Sequence, residues 1–347
     1  MSYSLKKPTR MVYFLDMTTA QTADNLLKGL SSVIRGKNHL LELYISSFLS
    51  GGHVLLDDVP GTGKTTLAKA LSRLVGISSN TTLSPATFHR IQFTPDLLPY
   101  DITGVDIFNP KEQRFEFIPG PVFSDILLAD EINRTTPKVQ SALLEVMAEQ
   151  QVSSGGVTRK VSDLFFVVAT QNPVETEGTY PLPAAQLDRF MLKLSLGYPD
   201  KESELSILRE DPSQTILPDL VPVVSCDDIR LSRKEQATVY CHPALESFII
   251  AIVRITRDHP QLSLGASPRG ALQLLHASRT LALMRGRTWI EDIDISDLAP
   301  AVLAHRLIPR DASLNTVELI RNITIQVCAE ISHTTDWTKD VAHKEHA

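Results

Sequence analysis

Lys64 and Thr65 close the run Asp57-Asp58-Val59-Pro60-Gly61-Thr62-Gly63-Lys64-Thr65-Thr66. An apolar stretch (His53 to Leu56) leads into it and an amphipathic one (Leu67 to Val75) leads out. Strand, glycine-rich turn and helix form the context that a phosphate-binding loop needs. The loop residues Val59, Pro60, Gly61, Thr62, Gly63 and Thr66 would line the nucleotide, with successive backbone N–H groups curling around phosphate oxygens, backed by the positive end of the helix. Lys64 would reach the terminal phosphates, and the Thr65 hydroxyl would hold Mg²⁺. A glycine turn that merely precedes a lysine is the alternative, and the flanking pattern disfavours it. Asp58 stands where such loops usually begin with glycine, and an inward carboxylate would repel phosphate. Asp58 is therefore expected to turn outward.

A second set of reactive groups lies downstream. In Asp125-Ile126-Leu127-Leu128-Ala129-Asp130-Glu131, four apolar residues run into two carboxylates. This describes a strand buried on both faces with acids at its C-terminal end, the edge where open parallel sheets bind ligands. Two consecutive acids on a strand point different ways and can divide two tasks. A strand that simply leaves the core into acidic solvent is the other reading; the upstream phosphate loop weakens it.

These groups need elements to position them. The pattern predicts a helix over 22–30, a second over 40–49, and strands over 53–56, 90–93, 125–131, 164–169 and 191–196. Pro137 to Glu149 is helical by spacing, and Leu187 to Phe190 closes a helical turn. Arg114 to Ile118 reads as one arm of a hairpin, and Gln151 to Lys160, with Gly155-Gly156, as another. Thr94 to Thr103 reads as an irregular insertion. About five strands with crossovers make one doubly wound parallel α/β layer.

Composition shifts at Pro199, after which no further buried strand is expected. Leu245, Phe248, Ile249, Ile252 and Val253 fall at helical spacing from Pro243. Ser267-Pro268 is a cap followed by proline at the first helical position, opening a helix that stops at Gly286. Helices over 296–304 and 317–329 follow. The expected division is a leader and short helix over 1–30, an α/β domain over 31–198, an all-helical domain over 199–332, and a polar tail over 333–347.

The chain of 347 residues is 43% hydrophobic and 21% charged, ordinary for a soluble globular protein. A formal charge of −6 without a basic block weighs against broad nucleic-acid binding. Cys226, Cys241 and Cys328 are too few and scattered for a disulfide framework or zinc cluster, and read as core thiols of a reducing cytoplasm. No apolar run reaches ~18 residues, so no membrane span is indicated. Lys6, Lys7 and Arg10 precede a short apolar run, but Asp16 and the polar stretch after it spoil a signal-peptide reading.

Several separated motifs, in order, carry a resemblance: GGHVLLDDVPGTGKTTLA, RIQFTPDLLPYDITG, GPVFSDILLADEINR, VQSALLEVM, ATQNPVETEGTYPLP, AAQLDRF and GASPRGALQLL. Over roughly Ser32 to Arg306 the chain resembles the MoxR group of AAA+ ATPases. It departs from the family where Arg35-Gly36-Lys37 replaces the usual Val-Gly-Gln box and where Ala184 replaces a common glutamate. The resemblance implies a P-loop NTPase fold whose second part is a lid, with ATP and Mg²⁺ as ligands. It implies that Asp130 holds the metal through water, that Glu131 polarises the attacking water, and that Asn172 orients that water as sensor 1. An asparagine that merely caps a strand end before proline is the plainer alternative for Asn172.

By the same resemblance Arg189, in LDRF, is an arginine finger reaching a neighbour's nucleotide, and Arg269 is the sensor-2 arginine of a lid helix. Their plainer alternatives are a helix-end arginine paired with Asp188 and a solvated first-turn arginine. Glu175 and Glu177 lie in a loop that the family places near subunit boundaries, and read otherwise as solvated acids. Arg134 is either structural or faces the next subunit. The implied function is a ring-forming ATP hydrolase, of six subunits, that remodels protein clients with a von Willebrand factor A-domain partner. Competing with it are a nucleotide-gated assembly switch with little hydrolysis and, more remotely, a nucleic-acid-remodelling motor.

Overall fold

The computed structural model describes residues 17–79, 82–173 and 178–332. Its centre is a sheet of five strands: β1 (Val54–Asp57), β2 (Phe88–Gln92), β3 (Ile126–Asp130), β4 (Phe166–Gln171) and β5 (Leu192–Leu194). Their spatial order is β5-β1-β4-β3-β2, and every neighbouring pair is parallel. All of β3 and most of β4 are buried, which is why both read as unbroken apolar runs.

Helices α1 (Thr19–Ser31), α2 (Asn38–Leu49), α3 (Lys64–Leu74) and α4 (Pro137–Glu149) flank this sheet. The strand pleat sends alternate side chains to opposite faces. Val54, Leu56, Leu128 and Val168 pack with Leu41, Ile45 and Phe48 of α2. Leu55, Leu127 and Val167 instead meet Val139 and Leu143 of α4. The two hairpins occur where expected, as Gly104–Asn109 with Arg114–Pro119 and as Gln151–Ser154 with Val157–Lys160.

Beyond the sheet come α5 (Lys201–Glu210), α6 (Cys226–Gln236), α7 (Pro243–Asp258), α8 (Pro268–Met284), α9 (Asp292–Leu303) and α10 (Thr316–Ser332). The Ser267 side chain caps α8 by accepting from the Gly270 N–H at 3.2 Å, with Pro268 at the first position. α7 buries Leu245, Phe248, Ile249, Ile252 and Val253, the stripe its spacing predicts.

Three expectations need correcting, and three further elements went unforeseen. Residues 94–103 are not wholly irregular: Pro99–Thr103 forms a helical turn, held by the Asp101 carboxylate accepting from the Leu98 N–H at 2.8 Å. A hairpin of Val75–Ser79 with Thr82–Pro85 went unforeseen, because its serines and threonines show no apolar alternation. A buried strand does follow Pro199: Val224–Ser225 pairs in parallel with Val75 and Gly76. A second short pair joins Leu262–Leu264 to Ile308–Pro309, so the later part is not purely helical. Strands of two or three residues are too short to display a period. Helices α5 and α6 were also missed; α5 buries none of its residues fully, and only the capping residues Asp200 and Ser225 mark their starts. The leader over 1–16 and the tail over 333–347 lie outside the described residues.

His53 sits in the core beside β1 with both ring nitrogens used. Nδ1 accepts from the Val167 N–H at 3.1 Å, which leaves Nε2 to donate to the Met147 carbonyl at 3.3 Å. The ring is therefore held neutral, and burial pushes its pKa down to about 4. Burial, reinforced by Arg306, likewise lowers His305. An unfolded chain protonates His53 below about pH 6.5, whereas the folded one resists until near pH 4. Stability is therefore fully present above about pH 6.5 and falls as pH drops through that window. His53 alone should remove about 2 kcal/mol between about pH 7 and pH 5. Denaturant midpoints measured at both pH values check this; identical midpoints would contradict it.

Candidate active site

β1 ends at Asp57, and the chain turns through the glycine loop into α3. Gly61 (φ +84°) and Gly63 (φ +94°) both take the left-handed conformation that a side chain disfavours. Gly63 is also the N-cap of α3, where no side chain satisfies the first-turn N–H groups. These uncapped donors suit an anion. Lys64 Nζ folds back to donate to the Asp58 and Val59 carbonyls at 2.7 and 2.8 Å, and Thr62 Oγ1 donates to Val59 at 3.3 Å.

Asp58 turns away from the cradle as expected, but into protein rather than solvent. It is 4% exposed. Its carboxylate accepts from the Leu196 N–H (2.6 Å), the Gly197 N–H (2.9 Å) and Ser195 Oγ (2.8 Å). The first loop position thus ties the phosphate loop to the segment leaving β5.

The C-terminal ends of β2, β3 and β4 face this loop across a cleft of about 380 Å³, lined among others by Lys64, Thr65, Thr66, Asp130, Glu131 and Asn172. Asp130 is buried, with Thr170 Oγ1 donating to its Oδ1 at 2.6 Å. The same Thr170 oxygen accepts from the Glu131 N–H at 2.9 Å, fixing the turn that follows β3. The separation of the two acids does not come from the strand pleat. β3 ends at Asp130, and Glu131 lies in the left-handed region (φ 56°, ψ 50°). Such a conformation for a non-glycine residue costs on the order of 1 kcal/mol or more and clusters at functional sites. The Glu131 carboxylate accepts from Gln92 Nε2 at 2.7 Å and from Arg134 Nη1 at 3.2 Å. Asn172 follows directly on β4 and is 6% exposed.

Hard oxygens from Thr65 and Asp130 in one cleft beside the glycine loop suit Mg²⁺, which needs only one or two protein ligands beside phosphates. Among the described residues no cluster of three or more His, Cys, Asp or Glu forms a self-sufficient metal cage. A larger cavity of about 940 Å³ lies between α2, the end of β5, α9 and α10. Three of its charged side chains are already paired: Lys193 with Asp57 (2.6 Å), Asp297 with Arg285 (2.7 Å) and Arg321 with Glu318 (3.4 Å). The smaller cleft is the better candidate for a triphosphate.

Arg189 and Arg269 do not line the cleft of their own chain. Arg189 is half-buried and donates to the Leu144 carbonyl of α4. Its pairing with Asp188, the plainer alternative, does not occur: Asp188 is held by Arg306 Nε at 2.8 Å and by Ser267 Oγ at 3.2 Å. Arg269 lies exposed in the first turn of α8. Arg134 pairs with Glu131, while Glu175 and Glu177 lie outside the described residues. In place of the usual Val-Gly-Gln box, Arg35 pairs with Glu210 at 2.6 Å and Lys37 Nζ donates to the Tyr198 carbonyl at 2.8 Å.

Sequence reasoning missed Thr170, Arg90, Gln92 and Arg306. Arg90 and Gln92 carried a signal, being polar residues two apart on a short strand, where they share a face. Arg306 carried none, since a lone arginine after a helix does not announce burial.

Comparison with known proteins bears on the fold and the family. The model of the ATPase family associated with various cellular activities (AAA) matches residues 53–192, and the AAA lid domain matches residues 254–323. The chain is 47% identical over 281 residues to the uncharacterised protein YeaC of Bacillus subtilis, covering 81% of this chain and 85% of that one. It is 40% identical over 320 residues to chaperone MoxR1 of Mycobacterium tuberculosis, covering 89% and 82%. A crystal structure of a candidate ATPase from Cytophaga hutchinsonii superposes with a TM-score of 0.78 at 37% identity, covering 88% of this chain and 94% of that one. The chain therefore belongs to the MoxR family of AAA+ ATPases.

Proposed function

We propose that the protein hydrolyses ATP with Mg²⁺ and uses the cycle, as a ring of subunits, to remodel protein clients. The observation that carries this reading is the meeting of Lys64, Thr65, Asp130, Glu131 and Asn172 around one cleft. Lys64, freed from its two carbonyls, binds the terminal phosphates, and the first-turn N–H groups of α3 orient the chain of phosphates. Thr65 and Asp130 hold the metal, which when bound neutralises phosphate charge. Glu131 takes the proton of the attacking water, and Asn172 orients that water. Arg189 reaches the cleft of a neighbouring subunit, and Arg269 joins the nucleotide state to the later helices.

A chaperone-like role is supported by the similarity to chaperone MoxR1. The two hairpins give it a working surface. Phe108 and Phe115 are 49% and 72% exposed on the first. The second is fixed to it: Ser154 Oγ donates to Asp106 at 2.6 Å, and the Arg159 guanidinium lies 3.9 Å from the Phe117 ring centre. A client segment engaged by the aromatic tip would thus feel both hairpins. A von Willebrand factor A-domain protein is the partner the family resemblance suggests.

Phosphate release from ATP at high protein concentration, where rings form, tests the reading. Mg²⁺-dependent steady-state release is expected. Tight ATP binding with no release would favour a nucleotide-gated switch instead.

A further inference from the structure

One cation lines the cleft without a part in the scheme above. Arg90, on β2, places Nη2 at 2.6 Å and Nε at 3.1 Å from Asp130 Oδ2. The Arg90 side chain is 48% exposed and that of Asp130 12%. The acid is fixed by Thr170, and the guanidinium is the more exposed partner of the pair. Arg90 Nη2 also donates to Gln92 Oε1 at 3.2 Å, and Gln92 Nε2 donates to Glu131. The two side chains share one face of β2, whose register sets Gln92 opposite Asp130. One hydrogen-bonded line therefore runs Asp130–Arg90–Gln92–Glu131, joining the two acids through a strand that neither belongs to.

We infer that Arg90 is a stand-in cation, neutralising Asp130 until a divalent metal arrives and competing with that metal for Oδ2. The inference rests on the ATPase reading. A buried carboxylate left without a counter-charge is costly, so a site that empties each cycle gains from a resident cation. The same charge repels an incoming metal, so its presence weakens metal affinity. Arg90 is thus a positioning residue: it acts on the metal and on Glu131 through Asp130 and Gln92.

The test measures Mn²⁺ binding to the ADP complex of the full chain by electron paramagnetic resonance. Arg90→Met should bind Mn²⁺ ~3- to 10-fold more tightly than the parent, the modest gain reflecting a half-exposed charge. Arg114→Met makes the same charge change on the hairpin and should leave Mn²⁺ affinity unaltered. ADP affinity in EDTA reports whether the loop is intact in each variant. Should Arg90→Met fail to bind ADP, Arg90→Gln, which keeps a donor without the charge, carries the same expectation. Unchanged or weaker Mn²⁺ binding in the neutral variant, with ADP binding intact, overturns the inference. Failure of the parent protein to bind ADP would instead overturn the ATPase reading.

Discussion

Arg189→Ala is expected to bind ATP like the parent protein and to turn it over ~10³- to 10⁵-fold more slowly, the range for losing an arginine finger. Phosphoryl transfer spreads charge over the γ-phosphate oxygens, and a guanidinium brought to them stabilises that charge in a water-poor site. Two features of the chain support a role outside its own cleft. Arg189 does not line that cleft, and its neighbour Asp188 is taken by Arg306 and Ser267, so the acid beside it leaves its charge uncompensated. Its bond to the Leu144 carbonyl is a single contact to a neutral acceptor, worth about 1.5–3 kcal/mol, and can be exchanged for charged phosphate oxygens. Turnover and nucleotide affinity measured side by side separate the outcomes. A variant that loses thermal stability but keeps its turnover would make Arg189 a structural brace of α4.

Glu131→Gln should lower steady-state turnover by ~10²- to 10⁴-fold while ATP stays bound, because an amide keeps the shape but cannot accept the water's proton. The positions of Gln92 and Arg134 make the exchange nearly isosteric, since both donate to Oε2 and an amide oxygen can accept in its place. The backbone at Glu131 is held left-handed by the Thr170 bond, so the substitution should not disturb the turn. Single-turnover assays distinguish a lost chemical step from slow product release. Persistent turnover would remove Glu131 from the water-activating role. The same variant, charged with ATP, should retain clients and partners that the parent releases.

The sheet was legible because parallel strands buried on both faces leave unbroken apolar runs, as at Leu127 to Ala129 and Phe166 to Ala169. The phosphate loop was legible because glycine spacing reports a backbone conformation directly, here the positive φ of Gly61 and Gly63. Side-chain commitments were not. Asp58 has the same letters around it whether its carboxylate faces water or three donors over 130 residues away. The pairing of Arg90 with Asp130 depends on strand register, which no local pattern encodes. Val224–Ser225 escaped because two residues cannot display a period, and α5 because a helix with no fully buried face lacks an apolar stripe.

The central claim is that two subunits complete each site, one supplying the cradle and the other a guanidinium. Mixing Arg189→Ala with Lys64→Ala protein addresses it most directly. Each alone should be nearly inert, the first lacking the finger and the second the phosphate-binding lysine. In a mixed ring, the intact cradle of the first variant meets the intact Arg189 of the second, and ATP turnover should reappear in proportion to such junctions. Two inert proteins that remain inert when mixed, under conditions where they assemble together, would contradict the account.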